Sequence, residues 1–220
     1  MKLFTFLKLA LKPIVASLIS LFIGASALCL SLSASAADEA PDEFIKRLST
    51  ELQDLVKNDP SLKAGDLQRT SAVVDARVMP HLNFQRMTAS AVGPAWRTAT
   101  PEQQTKLSAE FKTLLIRTYA GALSQVTDIT INVKPLRGSA EDNEVLVRSE
   151  IKGKGEPIEL DYRLEKTPGN GSGWKIYNLN VLGVWLVETY RSQFSQEINA
   201  KGIDGLIATL VERNKTNAKK

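Results

Sequence analysis

The stretch "WKIYNLNVLGVWLVETYRSQF", Trp174 to Phe194, decides how the rest of the chain is read. Its first part alternates as a strand does: Trp174, Ile176, Asn178, Asn180 and Leu182 against Lys175, Tyr177, Leu179 and Val181. The strand changes character partway and carries apolar groups on both faces near its end. Gly183 then allows a turn into a helix in which Val184, Val187, Tyr190, Phe194 and Ile198 form a core stripe. Trp185 falls nearly opposite that stripe on a helical wheel. A segment with apolar groups on two sides must meet two apolar surfaces.

Working upstream, the same alternation recurs three times. Ile129, Ile131 and Val133 mark one strand, and Val145, Val147, Ser149 and Ile151 a second. Ile158, Leu160, Tyr162 and Leu164 mark a third, opposite Glu159, Asp161, Arg163 and Glu165. One buried and one wet face is the pattern of an antiparallel sheet. "RGSAEDN", "GKGEP" and "TPGNGSG" supply the turns. These glycines make no phosphate loop, because the last run enters a strand and lacks the Lys-Ser/Thr ending.

Before Thr127 the period is helical. Phe44, Leu48, Leu52, Leu55 and Val56 stripe a helix that Pro41 opens and Asn58-Asp59-Pro60 ends. A second helix is predicted over about Asp66 to Met79, limited by Pro80, and a third over about Leu82 to Val92, before Gly93-Pro94. In "TATPEQQ", Thr100 is the N-cap, Pro101 the first helical residue and Gln103 the capping-box partner of a helix reaching about Ser124. Its apolar arc, Leu107, Phe111, Leu114, Leu115 and Ala122 extended by Ile116, Tyr119 and Leu123, is wide enough to touch two neighbours. Helices, then a four-stranded meander, then more helices define an α+β domain with a helical layer on an antiparallel sheet.

Lys2, Lys8 and Lys12, the apolar run Ile14 to Leu32 and "SASAA" read as a cleavable secretory signal over residues 1–36. Residues 37–214 then form a single domain, and 215–220 a disordered tail. Without the signal, 28 basic residues become 25 against 24 acidic ones, so the net charge of the remainder is +1. That balance, with no like-charge run, gives no electrostatic case for nucleic acid. Cleavage also removes Cys29, the only cysteine, and with it disulfide and thiol chemistry. His81 is the only histidine, in a helix junction without a nucleophile elbow or a metal-spaced partner. Glu156, Glu159, Asp161 and Glu165 lie around a polar strand face as solvated charge. No catalytic residue, metal site or cofactor is therefore expected. Periodicity leaves two explanations of the two-sided segments open: a thick solid core, or an internal apolar cavity between sheet and helices.

"GWKIYNLNVLGVWLVETYRSQF", followed by "KGIDGLIATL", resembles the C-terminal signature of the MlaC, or toluene-tolerance, family. "TATPEQQ" with "FKTLLIRTYAGAL" resembles the family's central helix, and "VDARVMPHLNF" its earlier junction. The resemblance implies a periplasmic carrier of diacyl phospholipid, with acyl chains held in an apolar cavity between the helical layer and the sheet. It also implies as partners an inner-membrane ABC transporter complex with MCE domains and an outer-membrane lipoprotein–porin complex. A small-molecule enzyme and a solid-core interaction module are the alternatives. The cavity wall is expected from Leu115, Tyr119 and Leu123 of the central helix, Val147, Leu160 and Tyr162 of the sheet, and Leu179, Val181 and Val184 of the junction. Trp185 is expected to border the cavity near its mouth or to meet a partner. Leu182 and Trp185 depart from a family pattern that commonly places an acidic residue before this glycine and a small polar one after the valine. Arg97, Lys112 and Arg117 are the basic candidates for a phosphate contact.

Overall fold

The period-two segments pair into an antiparallel sheet in a computed structural model that describes residues 39–123, 128–153 and 156–217. The expected export signal lies outside the described residues. Strands β1 (Thr130–Val133), β2 (Glu144–Lys152), β3 (Ile158–Lys166) and β4 (Trp174–Val181) follow one another in sheet order. A fifth strand, β5 (Val184–Trp185), corrects the expected count of four. Leu182 (φ 53°) and Gly183 (φ 83°) form a two-residue turn, so Val184 folds back against Val181 instead of opening the helix. Two successive left-handed residues suit the twist of a hairpin. For Gly183 that conformation is free, whereas for a leucine it costs roughly 1 kcal/mol.

The change of character within β4 has a geometric cause. Arg163 faces Asn178 and Leu164 faces Ile176, which leaves Tyr177 as an extra, bulged residue. Before the bulge Trp174 and Ile176 point to the inner face of the sheet; after it Leu179 and Val181 do, opposite Tyr162 and Leu160. Asn178 and Asn180 thereby turn to the outer face beside Arg163 and Asp161.

Helix α1 (Pro41–Asn58) lays Phe44, Ile45 and Leu48 on the inner face, where they pack with Val145, Val147, Tyr162, Leu164, Trp174 and Ile176. The short α2 (Pro60–Lys63) and α3 (Leu67–Val73) follow. Expected as one helix to Met79, the second segment instead passes from α3 into a π-helical turn, Val74–Val78, and a 3₁₀ turn, Met79–His81. Helices α4 (Phe84–Val92), α5 (Pro101–Leu123) and α6 (Leu186–Asn217) build a second core around Phe84, Met87, Leu107, Phe111, Tyr190, Phe194, Leu206 and Leu210. Leu82 touches both cores. The capping box forms as read: Thr100 N–H donates to Gln103 Oε1 (3.0 Å), and Gln103 N–H donates to Thr100 Oγ1 (3.2 Å). Helix α6 breaks at Gly202 (φ 71°) and runs on through Asn217, into the segment expected to be a disordered tail.

Candidate functional site

The inner face of the sheet is the largest apolar surface that the fold assembles from period-two sequence. Register places its side chains in rows across the strands: Val145, Leu164 and Ile176; Val147, Tyr162 and Leu179; Ser149, Leu160 and Val181. Val184 extends the last row through Val181, and Ile131, Ile151 and Ile158 form a further row at the sheet's end. Cover decreases along this series. Val147 is fully buried, Leu160, Val181, Ile131 and Ile151 are half-buried, and Ile158 and Val184 are exposed. An apolar face thus runs without a charged residue from the core beneath α1 to the open end of the sheet.

Polar groups on this face are tied to protein partners. Ser149 is buried, and its hydroxyl donates to the Leu160 carbonyl (2.8 Å). Burial pushes the Tyr162 hydroxyl above its ordinary pKa, against hydrogen bonds with Ser149 and Ser49. Beside the face, a groove of about 420 Å³ opens between α1 and the π-helical turn. Leu48, Leu52 and Leu55 line it together with Glu51, Asp54, Asn58 and Arg77. That volume lies in the range of small-ligand pockets.

The expected wall residues separate into groups. Val147, Tyr162, Leu160 and Leu179 lie together in or against the α1–sheet core. Val181 adjoins them, and Val184 stands opposite it with half of its surface exposed. Leu115 packs on the helical core instead, while Tyr119 is exposed on α5 and hydrogen-bonded to Tyr190. The Leu123 side chain lies outside the described residues. Trp185 pairs with Asn180 on the outer face, where the Arg163 guanidinium stacks 3.8 Å above its ring. Sequence reasoning missed Ile131, Ile151, Ile158 and the α1 residues Phe44, Leu48 and Leu52. The strand residues share the parity of those it named, so the register was the missing signal. Among the basic candidates, Lys112 pairs with Asp75 (2.6 Å) and Arg97 lines a separate groove with Arg86, Trp96 and Arg191. Arg117 keeps one buried guanidinium nitrogen without a hydrogen-bond partner.

The outer face is a polar seam that docks the helical layer. Arg86 of α4 lies 3.6 Å over the Tyr177 ring and reaches both Glu144 (2.6 Å) and Glu165. Arg163 Nη1 donates to Glu188 Oε1 (2.7 Å), and Asn178 Nδ2 to Glu188 Oε2 (2.7 Å). Asn178 Oδ1 accepts from the Val187 N–H (3.2 Å), capping the first turn of α6. Burial pushes the Glu188 carboxyl up, but the bonds from Asn178 and Arg163 outweigh it and hold its pKa below the ordinary carboxylate value. Because the folded pKa is depressed, this stabilisation is full above the unfolded value of about 4.3 and fades as pH falls through the folded one. The urea midpoint of Glu188→Gln is therefore expected to lie below the wild type's at pH 7, with the gap closing in acid. A gap that persists unchanged at the lowest pH would mean that the charge contributes nothing.

His81 packs its ring at a tilt of 54° against Phe44 (ring centroids 5.5 Å), and burial followed by the charge of Arg47 lowers its pKa. Among the described residues, no group of three His, Cys, Asp or Glu is placed to hold a metal ion.

Comparison with known proteins accords with this geometry. A family model described as "MlaC protein" matches residues 46–212. The intermembrane phospholipid transport system binding protein MlaC of Haemophilus influenzae is 25% identical over 178 residues, covering 79% of this chain and 82% of the relative. The toluene tolerance protein ttg2D of Pseudomonas putida is 27% identical over 174 residues, covering 76% of this chain and 77% of the relative. Among solved structures, a phospholipid-binding protein from Ralstonia solanacearum in complex with a phospholipid is similar at a TM-score of 0.77 and 44% identity. That likeness covers 82% of this chain and 99% of the other. With the family model spanning most of its length and the fold shared with that relative, the chain belongs to the MlaC family.

Proposed function

We propose that this protein is a periplasmic phospholipid carrier, exported by a cleavable signal, and that its cargo's acyl chains lie on the inner face of the sheet. It takes lipid from, or gives it to, an inner-membrane ABC transporter complex with MCE domains and an outer-membrane lipoprotein–porin complex. This exchange helps maintain lipid asymmetry in the outer membrane. The observation that carries the reading is the uncharged apolar face from Val147 to Val184, in a chain whose solved relative is a phospholipid complex. A diacyl lipid has on the order of 30 methylenes, each costing ~0.8 kcal/mol to expose, so leaving both chains in water would cost ~24 kcal/mol. A carrier must cover them, and a small open groove such as the one beside α1 does not.

Side chains from α1 fill the covered part of that face in this structure, so loading requires α1 and the sheet to separate. The lipid is cargo; the protein uses no cofactor and catalyses no reaction. Native mass spectrometry of protein purified from its periplasm tests the reading. A mass excess that organic extraction identifies as diacyl phospholipid is expected. A reproducibly empty protein counts against a carrier, and a small polar metabolite in its place favours an enzyme.

A further inference from the structure

The turn between β4 and β5 combines two features that folding alone does not account for. Leu182 is the one non-glycine residue with positive φ among the described residues, and 62% of its surface is exposed. A two-residue turn of this type takes Asn or Gly at its first position, because an asparagine tolerates the left-handed region and a leucine does not. The leucine accepts that strain while leaving most of its side chain exposed. Beside it stand Val184, 53% exposed, and Ile158, 40% exposed. The Leu182 N–H donates to the Glu159 carbonyl (3.0 Å), which fixes the tip next to the strand that carries Ile158.

This aliphatic tip is continuous with the inner face through Val181 and Leu160. We infer that the Leu182–Gly183 tip, with Val184 and Ile158, is the point at which the protein inserts into a lipid surface while an acyl chain enters or leaves. The inference rests on the carrier reading above. An acyl chain sliding off Leu179 and Leu160 meets Val181, then Ile158 and Val184, and needs to pass no charged side chain. The tip is a convex hairpin end with no side-chain hydrogen-bonding group of its own, whereas a protein partner would have to supply a matching hollow. A fluid bilayer accepts protruding aliphatic groups without matching their shape. The exposed charged neighbours at this end among the described residues, Glu156, Glu159 and Lys152, carry both signs, so insertion is driven by apolar burial and is insensitive to salt.

The test uses phosphatidylcholine vesicles carrying a fluorescent phosphatidylethanolamine, mixed with the full mature protein, and reads the rate at which label moves to the protein. Leu182→Asn gives the turn its favoured residue, so thermal stability is expected to hold or rise. Lipid content of the purified variant should match the wild type's, while the extraction rate falls about tenfold or more because an exposed leucine is lost from the inserted surface. Val184→Thr, compatible with a strand, should slow extraction in the same direction. The wild-type rate should not change with added salt. A wild type that extracts label while Leu182→Asn keeps pace with it overturns this inference alone. A wild type that co-purifies with phospholipid yet takes up no label from bare vesicles also overturns this inference and leaves the carrier reading standing, whereas one that neither holds phospholipid nor takes up label overturns both. Slowing confined to transfer from a solubilised membrane complex, with bare vesicles unaffected, also overturns the inference and assigns the tip to a protein partner.

Discussion

Val147→Asp and Leu160→Asp are expected to fail in different ways although the residues lie on the same sheet face. Val147 is fully buried in the core that α1 closes, opposite Tyr162. An aspartate there has no cationic partner, and its loss of hydration should destabilise the domain by about 4 kcal/mol or more. That is a large part of the stability of a domain this size, so little folded protein is expected. Leu160 is half-buried on the row that runs out to the sheet's open end, where water can reach a new carboxylate. Leu160→Asp should fold with a modest loss of stability and lose its phospholipid, because the charge would lie against an acyl chain. Circular dichroism and native mass spectrometry on both variants separate the outcomes. A folded Leu160→Asp that retains normal lipid would remove this row from the cargo site.

The second large effect lies in the other core. Phe111 is 1% exposed, and its ring meets those of Phe84, Tyr190 and Phe194 at centroid distances of 5.7, 4.9 and 5.3 Å. From α5 it meets α4 and α6 at once. Phe111→Ala removes a side chain from a site held on three sides by rigid rings, which leaves little room for collapse. A loss of about 3–5 kcal/mol is expected in a urea melt. The sheet residues around Val147 belong to a separate cluster, so lipid retained by the folded fraction should be unchanged. Loss of lipid from a folded Phe111→Ala would show that the helical core helps shape the cargo site.

Local signals made much of the fold legible. Thr100, Pro101 and Gln103 mark the start of α5 because a capping box is written in adjacent residues. Val145, Val147, Tyr162 and Leu164 mark a sheet with one buried face because strand period and burial coincide. The departures arise where one inserted residue or one unusual torsion resets the pattern. Tyr177 shifts the parity of β4, and Leu182 hides a turn that asparagine would have announced. The π-helical turn at Val74–Val78 widens a helix by a residue without changing the type of sequence that forms it.

The candidate site was half legible for a related reason. Alternation identifies which strand residues share a face. An amphipathic stripe says that a helix has an apolar side, but not which surface receives it. The wide arc of α5 suggested that it roofed the sheet, yet α1 takes that place and α5 packs among helices. Trp185 was read as a helical residue opposite the stripe of Val187 and Phe194, whereas it lies on β5, ahead of the helix. Its stacking on Arg163 depends on β5, which the leucine in the turn concealed.

The helical core draws its two halves from opposite ends of the meander. Asn214 donates to the backbone and side chain of Glu110 across 104 residues of chain, and Gln103 reaches Asp204 across 101. During synthesis α4 and α5 emerge first and must wait, apolar sides unmatched, until the whole sheet and nearly all of α6 have followed. The meander can zip from neighbour to neighbour, whereas closure of the helical core has to bridge a loop containing every strand. Until then Phe111 and its neighbours stay available to holding chaperones and to aggregation alike. Truncation before Leu206 should thus leave a chain that makes its sheet but remains chaperone-bound.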